Sequence, residues 1–188
     1  LDGALADYNK CIQLNPAFYK AYNNRGVLEE AKGDLDGAMA DFNKCIQLNP
    51  GFYKVYNNRG LVRHAKGDLD GAIADYDEGI QLTNVAGLYF NRGNAKAEKN
   101  DSNGAMADYN TAIKLDPNFS RAYVGRGNLK HMKGDSDGAL ADFNKAIELN
   151  PKFAGAYNNR GLVEEAKGDL DGALADYNKV IDLNPSFY

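Results

Sequence analysis

The chain is poor in the residues that would place it in several large classes of protein. It has no tryptophan, and only two of its 188 residues are cysteine, Cys11 and Cys45. A secreted disulfide scaffold would be far richer in cysteine. No apolar run approaches the roughly 20 residues that a membrane-spanning helix needs, so membrane insertion is not expected. Basic residues are not in excess: 22 Lys and Arg stand against 26 Asp and Glu, for a net charge of −4. That balance argues against a nucleic-acid partner, which demands a basic stripe. The two histidines, His64 and His131, lie 67 residues apart and do not form a metal pair by sequence logic. No signal-peptide pattern is visible. The first residue is Leu1 and not Met, so a leader or neighbouring domain is expected to be missing from this sequence. Localisation is therefore left open, with the cytoplasm favoured.

Catalytic patterns are missing too. "GDLDGA" from Gly33 offers Asp-x-Asp-Gly, as calcium loops do. In that register, however, Lys32 falls where the first carboxylate belongs and Asn43 where the closing Glu belongs. No Ser/His/Asp or Cys/His grouping suggests a nucleophile. The Asp residues that recur once per unit read as periodic structure and not as a catalytic dyad. The sequence therefore reads as no enzyme, with no cofactor and no metal.

What the chain does have is repetition, which decides the architecture. "YNNRG" occurs from Tyr22, Tyr56 and Tyr157, with "YFNRG" from Tyr89 and "YVGRG" from Tyr123. The Arg-Gly pairs begin at Arg25, Arg59, Arg92, Arg126 and Arg160, spaced by 34, 33, 34 and 34 residues. Prolines fall at 16, 50, 117, 151 and 185. The units are 17–50, 51–84, 85–117, 118–151 and 152–185, with a half unit 1–16 before them and the start of another at 186–188. The unit 85–117 is one residue short, and Thr83-Asn84 stands where the other units close on Asn-Pro or Asp-Pro.

Each unit reads as two helices. The first runs from about Tyr19 to Lys32 and the second from about Leu35 to Leu48, with Ala38, Met39, Phe42, Cys45, Ile46 and Leu48 at helical spacing. "KGD" joins them: Gly33 suits the left-handed residue that closes a helix, and Asp34 caps the next. Asn100 replaces this Gly once, and Asn is the other residue that tolerates that conformation. The closing Pro is expected at the start of the following helix. One such unit cannot offset its own ordering entropy of roughly 1–2 kcal/mol per residue, so neighbours must share their apolar faces. The reading is one elongated all-α array over 1–188, not two globules.

The pattern Tyr22, Gly26, Ala38, Phe42, Pro50 resembles the tetratricopeptide repeat family. It returns as Tyr56, Gly60, Ala72, Tyr76; as Tyr89, Gly93, Ala105, Tyr109, Pro117; as Tyr123, Gly127, Ala139, Phe143, Pro151; and as Tyr157, Gly161, Ala173, Tyr177, Pro185. The resemblance implies a right-handed superhelical α-solenoid of antiparallel helix pairs. It implies a concave groove lined by the first helices and a protein or peptide ligand. Gly26 and Ala38 would let the two helices approach closely. Cys45 sits in a slot filled elsewhere by Cys11, Gly79, Ala112, Ala146 and Val180, so both cysteines read as inert packing. The family places a large apolar residue three positions after the Gly, where this chain has Glu29, Arg63, Lys96, Lys130 and Glu164. The first helix is therefore expected to turn slightly or to pack less tightly near its end.

Two recurrent polar sets follow. Arg25, Arg59, Arg92, Arg126 and Arg160 recur in step with Asp41, Asp75, Asp108, Asp142 and Asp176, and the half unit adds Asp7. They predict a ladder of bidentate Arg–Asp pairs between packed helices, with the Asp supplied by the same unit or by the preceding one. An anion-binding Arg row is the less favoured alternative. Asn24, Asn58, Asn91 and Asn159 precede these arginines, and Gly125 takes that place once. Turned about 100° from the Arg, they should face the groove, where a carboxamide matches the donors and acceptors of a peptide backbone. They resemble the asparagine ladder in the repeat domain of the O-linked N-acetylglucosamine transferase. The plainer alternative is that they bridge neighbouring helices through water. Lys20, Lys54 and Arg121, one turn earlier, and Asn94 and Asn128, three residues after the Asn site, complete the expected groove.

A carboxylate clamp of the kind known in the family is not expected, because Asn23, Asn57, Phe90, Val124 and Asn158 stand where its first Lys belongs. The leading expectation is a scaffold that binds an extended peptide or a partner helix. Self-association is the second. Its support is the near-identity of the opening segment "LDGALADYNK" to the segment from Leu170, although truncation from a longer array explains both ends more simply.

Overall fold

The computed structural model describes residues 2–184; Leu1, Pro185 and the expected start of a further repeat at 186–188 lie outside the described residues. Among the described residues there are eleven α-helices and no strand. They are α1 (Asp2–Leu14), α2 (Tyr19–Ala31), α3 (Leu35–Leu48), α4 (Tyr53–Ala65), α5 (Leu69–Leu82), α6 (Ala86–Glu98), α7 (Ser102–Leu115), α8 (Ser120–Met132), α9 (Ser136–Leu149), α10 (Ala154–Lys167) and α11 (Leu170–Leu183). The chain divides into two compact units, Leu1–Lys99 and Asn100–Tyr188. The first holds α1–α6 and the second α7–α11. Each is an α-solenoid stack of helix hairpins, with α2/α3, α4/α5, α8/α9 and α10/α11 as the closest pairs.

The turns within hairpins follow from three residues. Gly33, Gly67, Gly134 and Gly168 have φ of +80° to +85°, and Asn100 has φ 64°. Left-handed backbone costs other residues roughly 1–2 kcal/mol, which selects Gly and, once, Asn. The Asp that follows then caps the second helix. Asp34, Asp68, Asp101, Asp135 and Asp169 accept from the N–H groups of Gly37, Gly71, Gly104, Gly138 and Gly172 at 2.9–3.0 Å. A Cβ on Gly37 would stand 2.5 Å from the Asp34 carboxylate, so the capping residue itself demands glycine there.

The prolines do not open the first helices. α2 begins three residues after Pro16, and α4 three residues after Pro50. The Pro instead follows an Asn inside a tight turn: the Phe18 N–H donates to the Asn15 carbonyl at 3.1 Å, and the Ala17 N–H to the Asn15 side chain at 3.1 Å. Proline presets φ at that turn position.

Cores form where hairpins meet. Tyr22, Ala38, Phe42, Cys45, Val55, Tyr56 and Val62 form one. Ala72, Tyr76, Leu88 and Ala95 form another in the same unit. Val124, Ala139, Phe143, Ala146, Ala156 and Val163 form the core of the second unit. The close approach within a hairpin rests on the Gly of the Arg-Gly pair: a Cβ on Gly26 would lie 2.7 Å from the Phe42 ring. Cys45 is fully buried, and burial pushes its thiol up to about 11. Cys11 is exposed, contrary to the packing role expected of it. Its helix, α1, packs on α2 alone, whereas α3 is enclosed by α2 and α4. The apolar layer of the first helices is carried two residues after the Gly, by buried Val62, Leu129 and Val163. The charged residues one place further on point instead at the second helix.

Candidate peptide-binding face

Each residue of the Tyr-x-x-Arg-Gly segment has a separate task. The Tyr hydroxyls of residues 22, 56, 123 and 157 donate to the carbonyls of Pro16, Pro50, Pro117 and Pro151 at 3.0–3.3 Å. Where that Pro is missing, Tyr89 donates to the Asn84 side chain at 2.7 Å. The same rings lie under the guanidinium groups three residues on, at 5.3–5.8 Å from the centroid. That arrangement holds the Arg plane flat for a bidentate contact.

The carboxylate comes from the same hairpin. Arg25 grips Asp41 through Nε at 2.7 Å and Nη2 at 2.6 Å. Arg126 holds Asp142 at 2.9 and 2.6 Å, and Arg160 holds Asp176 at 2.7 and 2.6 Å. Arg59 likewise engages Asp75 through both nitrogens. These Asp residues and Asp108 are at most 5% exposed. The remaining Nη1 reaches the preceding hairpin: Asn9 from Arg25, Asn43 from Arg59, Asp77 from Arg92, Asn110 from Arg126 and Asn144 from Arg160, at 2.5–2.8 Å. One side chain therefore ties both its own hairpin and the one before it. Sequence reasoning missed these acceptors. They recur two residues after each Asp, and that phase was the available signal.

The position three after the Gly completes the cluster. Arg63 and Lys130 add a second cation to Asp75 and Asp142, at 3.2 and 2.8 Å. Glu29 and Glu164 instead bring a second carboxyl beside Asp41 and Asp176. Burial, with help from those neighbouring Asp charges, raises both above the usual range. Their Oε2 atoms are buried and have no hydrogen-bond partner. A lysine ladder runs outside: Lys32 to Asp2, Lys66 to Asp36, Lys99 to Asp70, Lys133 to Asn103 and Lys167 to Asp137. "KGDLDGA" is thereby accounted for almost residue by residue.

The asparagines link successive first helices directly. In the first unit the relay runs from Asn91 to Asn57 (2.9 Å), Asn57 to Asn58 (3.4 Å), Asn58 to Asn23 (3.0 Å) and Asn23 to Asn24 (3.1 Å). In the second, Asn158 donates to Asn159 at 3.2 Å and Asn159 to Asn128 at 2.9 Å. The first asparagine of each pair is thus as important as the second. Gly125 interrupts the pattern because the Tyr109 ring occupies that space, 2.8 Å from where a Cβ would stand.

Beside the relay in the first unit lies a cleft of about 410 Å³ lined by Asn23, Tyr53, Lys54, Asn57, Asn58, Val85, Gly87 and Leu88. Of the expected groove residues it brings together Lys54 and Asn58. Asn24 lines a separate hollow with Ala4, Tyr8, Val27 and Leu28. Lys20 is exposed, 5.9 Å over the Tyr19 ring, and Arg121 is exposed, 5.3 Å over the Phe119 ring. Asn94 is half-buried on α6. Further along the first helices, His64 meets Glu98 at 2.8 Å. Among the described residues no group of three or more His, Cys, Asp or Glu is placed to hold a metal, and no helix is long and apolar enough to cross a membrane.

Comparison with known families supplies matches along most of the chain. Tetratricopeptide repeat profiles match residues 19–52 and 154–187, and residues 53–84. A TPR repeat profile matches 93–134 and 127–168. No curated protein matches the sequence significantly. Among solved structures, MamA protein superposes with a TM-score of 0.73 at 26% identity, covering 89% of this chain and 92% of its own. TTC0263, a TPR protein of Thermus thermophilus, gives 0.74 at 20% identity over 90% and 93%. YrrB, described as a TPR protein with an unusual peptide-binding site, gives 0.70 at 23% identity over 96% and 93%.

Proposed function

This chain belongs to the tetratricopeptide repeat family, and from that premise we propose that it is a protein-interaction scaffold that holds an extended peptide along its first helices. The observation that carries this reading is the cleft against α4 and α6, where an apolar floor of Tyr53, Val85 and Leu88 adjoins a row of carboxamides and one lysine. Open concavities with an apolar base and a few polar groups are where ligands bind. Each carboxamide in the relay has two N–H donors and an oxygen that accepts twice, and the relay occupies only part of that capacity. On the members of the relay other than buried Asn23, the rest is available to a peptide backbone. Asn24, Asn58, Asn91 and Asn159, with Lys20, Lys54, Arg121, Asn94 and Asn128 around them, are the proposed contact residues.

Selection from a random decapeptide library on the intact chain tests this. A variant with Asn24, Asn58, Asn91 and Asn159 changed to Ala, with helicity checked by circular dichroism, should enrich no peptide set. Equal enrichment by both proteins would remove the Asn face from the reading.

A second reading, self-association, is favoured by α11. Leu170, Leu174 and Ile181 are 65%, 60% and 43% exposed, while their counterparts Leu35, Met39 and Ile46 on α3 are partly buried against the neighbouring core. Light scattering across concentrations decides it: a mass that stays monomeric to hundreds of micromolar rules it out.

A further inference from the structure

The cleft beside α4 and α6 opens where an aromatic ring that recurs in the other units is absent. The segment before α2 and its first residues read Phe18-Tyr19-Lys20, and those of α4 read Phe52-Tyr53-Lys54. At the short third unit the same three places hold Val85-Ala86-Gly87. Between α2 and α4, Tyr19 packs edge-on against Phe52, with ring centroids 5.2 Å apart and planes at 65°. The corresponding pair between α4 and α6 is Tyr53 with Val85. The second ring is gone, and Tyr53 and Val85 both line the cleft. Gly87 stands where α2 and α4 carry lysine, and a Cβ there would meet nothing within 4 Å. Leu88, 1% exposed, forms the floor. Lys54 is the one charged residue in the lining.

We propose that this cleft takes one aromatic side chain of a bound peptide, which docks against Tyr53 in place of the ring lost at Val85, with an acidic residue beside it meeting Lys54. The inference rests on the peptide-binding reading above and names its anchor. Aromatic pairs in offset or edge-on geometry gain attraction beyond their area, and the site already builds that geometry at α2/α4. An acidic flank is required by charge complementarity, since the lining offers a cation and carboxamide donors but no carboxylate.

The test uses the intact chain and three decapeptides that share a Gly/Ser background and differ only at a central pair: Phe-Glu, Ser-Glu and Phe-Lys. Binding is followed by amide chemical-shift titration into the millimolar range. The Phe-Glu peptide should bind at least tenfold tighter than Ser-Glu and than Phe-Lys. Val85→Phe restores the intrachain ring and is compatible with the fold, because Phe18, Phe52, Phe119 and Phe153 occupy the same place in four other units. It should bring Phe-Glu and Ser-Glu within twofold of each other. Gly87→Leu fills the same space from a different backbone position and should do likewise. Lys54→Glu should reverse the preference between Phe-Glu and Phe-Lys. Equal affinity of Phe-Glu and Ser-Glu for the unmodified chain overturns the anchor while leaving the groove reading intact. So does a tenfold preference that survives Val85→Phe. Absence of binding by all three peptides overturns the anchor, and a failed library selection would take the groove reading with it.

Discussion

At the scale of single residues, the molecule rests on buried charge held in place by geometry. Asp41 is 5% exposed, and its partner Arg25 is fixed by a tyrosine ring, a third hydrogen bond, to Asn9, and the hairpin itself. Removing one partner of such a pair leaves the other desolvated. Asp41→Ala should therefore cost about 3–5 kcal/mol in chemical denaturation, whereas removing the exposed Asp36 that meets Lys66 should leave the transition nearly unmoved. Glu29 behaves oppositely. Its carboxyl is raised, chiefly by burial, so the folded state favours its protonated form. Its contribution to stability is present at pH below the ordinary Glu value and is lost as pH rises through the raised one. Glu29→Gln supplies an amide N–H that can donate to Asp41 at any pH. It should stabilise the protein by about 1 kcal/mol at pH 7 and flatten the fall in stability as pH rises above the ordinary Glu range. Urea titrations at several pH values would reveal an unchanged slope if Glu29 were indifferent.

At the scale of the helix and the hairpin, closure and register have different origins. Closure comes from the Lys-Gly-Asp turn and from glycine against an aromatic ring. Gly67 has φ +80°, so Gly67→Ala should cost roughly 1–2 kcal/mol although nothing crowds its Cβ. Register between hairpins comes from the polar relay and from the arginine that reaches backwards. Asn57 accepts from Asn91 and donates to Asn58, so Asn57→Ala removes two bonds. A loss of about 1–2 kcal/mol is expected, with the amides of α6 exchanging faster. These elements were largely legible beforehand. Gly, Asp and the aromatic positions act within 20 residues of one another, so their spacing alone specifies the contact. The choice of Asp partner was not legible, because both candidates recur with the same period. The structure answers with both hairpins at once, taking Asp from the arginine's own hairpin and, from the one before, Asn at Arg25, Arg59, Arg126 and Arg160 and Asp77 at Arg92.

At the scale of the molecule, among the described residues each helix packs on neighbours close in sequence. In the first unit α2 touches α1, α3 and α4, and α6 touches α4 and α5. Stability in such a stack is a sum of local interfaces, and it fails locally. Gly26→Ala forces a methyl group to within 2.7 Å of the Phe42 ring and should cost about 1–3 kcal/mol. Hydrogen exchange should show that loss in α2 and α3 and much less in α6. A uniform loss of protection across α1–α6 would contradict the nearest-neighbour picture.

The sequence by itself determined the helix count per repeat, the turns within hairpins, the caps and the family, because those depend on interactions within one 34-residue period. Tertiary structure alone decided which asparagines meet, which nitrogen of each arginine serves which hairpin, and where a cleft opens. Those outcomes depend on the distance between residues a full period apart. Identical letters at equivalent positions do not reveal that distance, and a single shortened unit, with Val85 where a phenylalanine recurs, is enough to leave a space beside Tyr53.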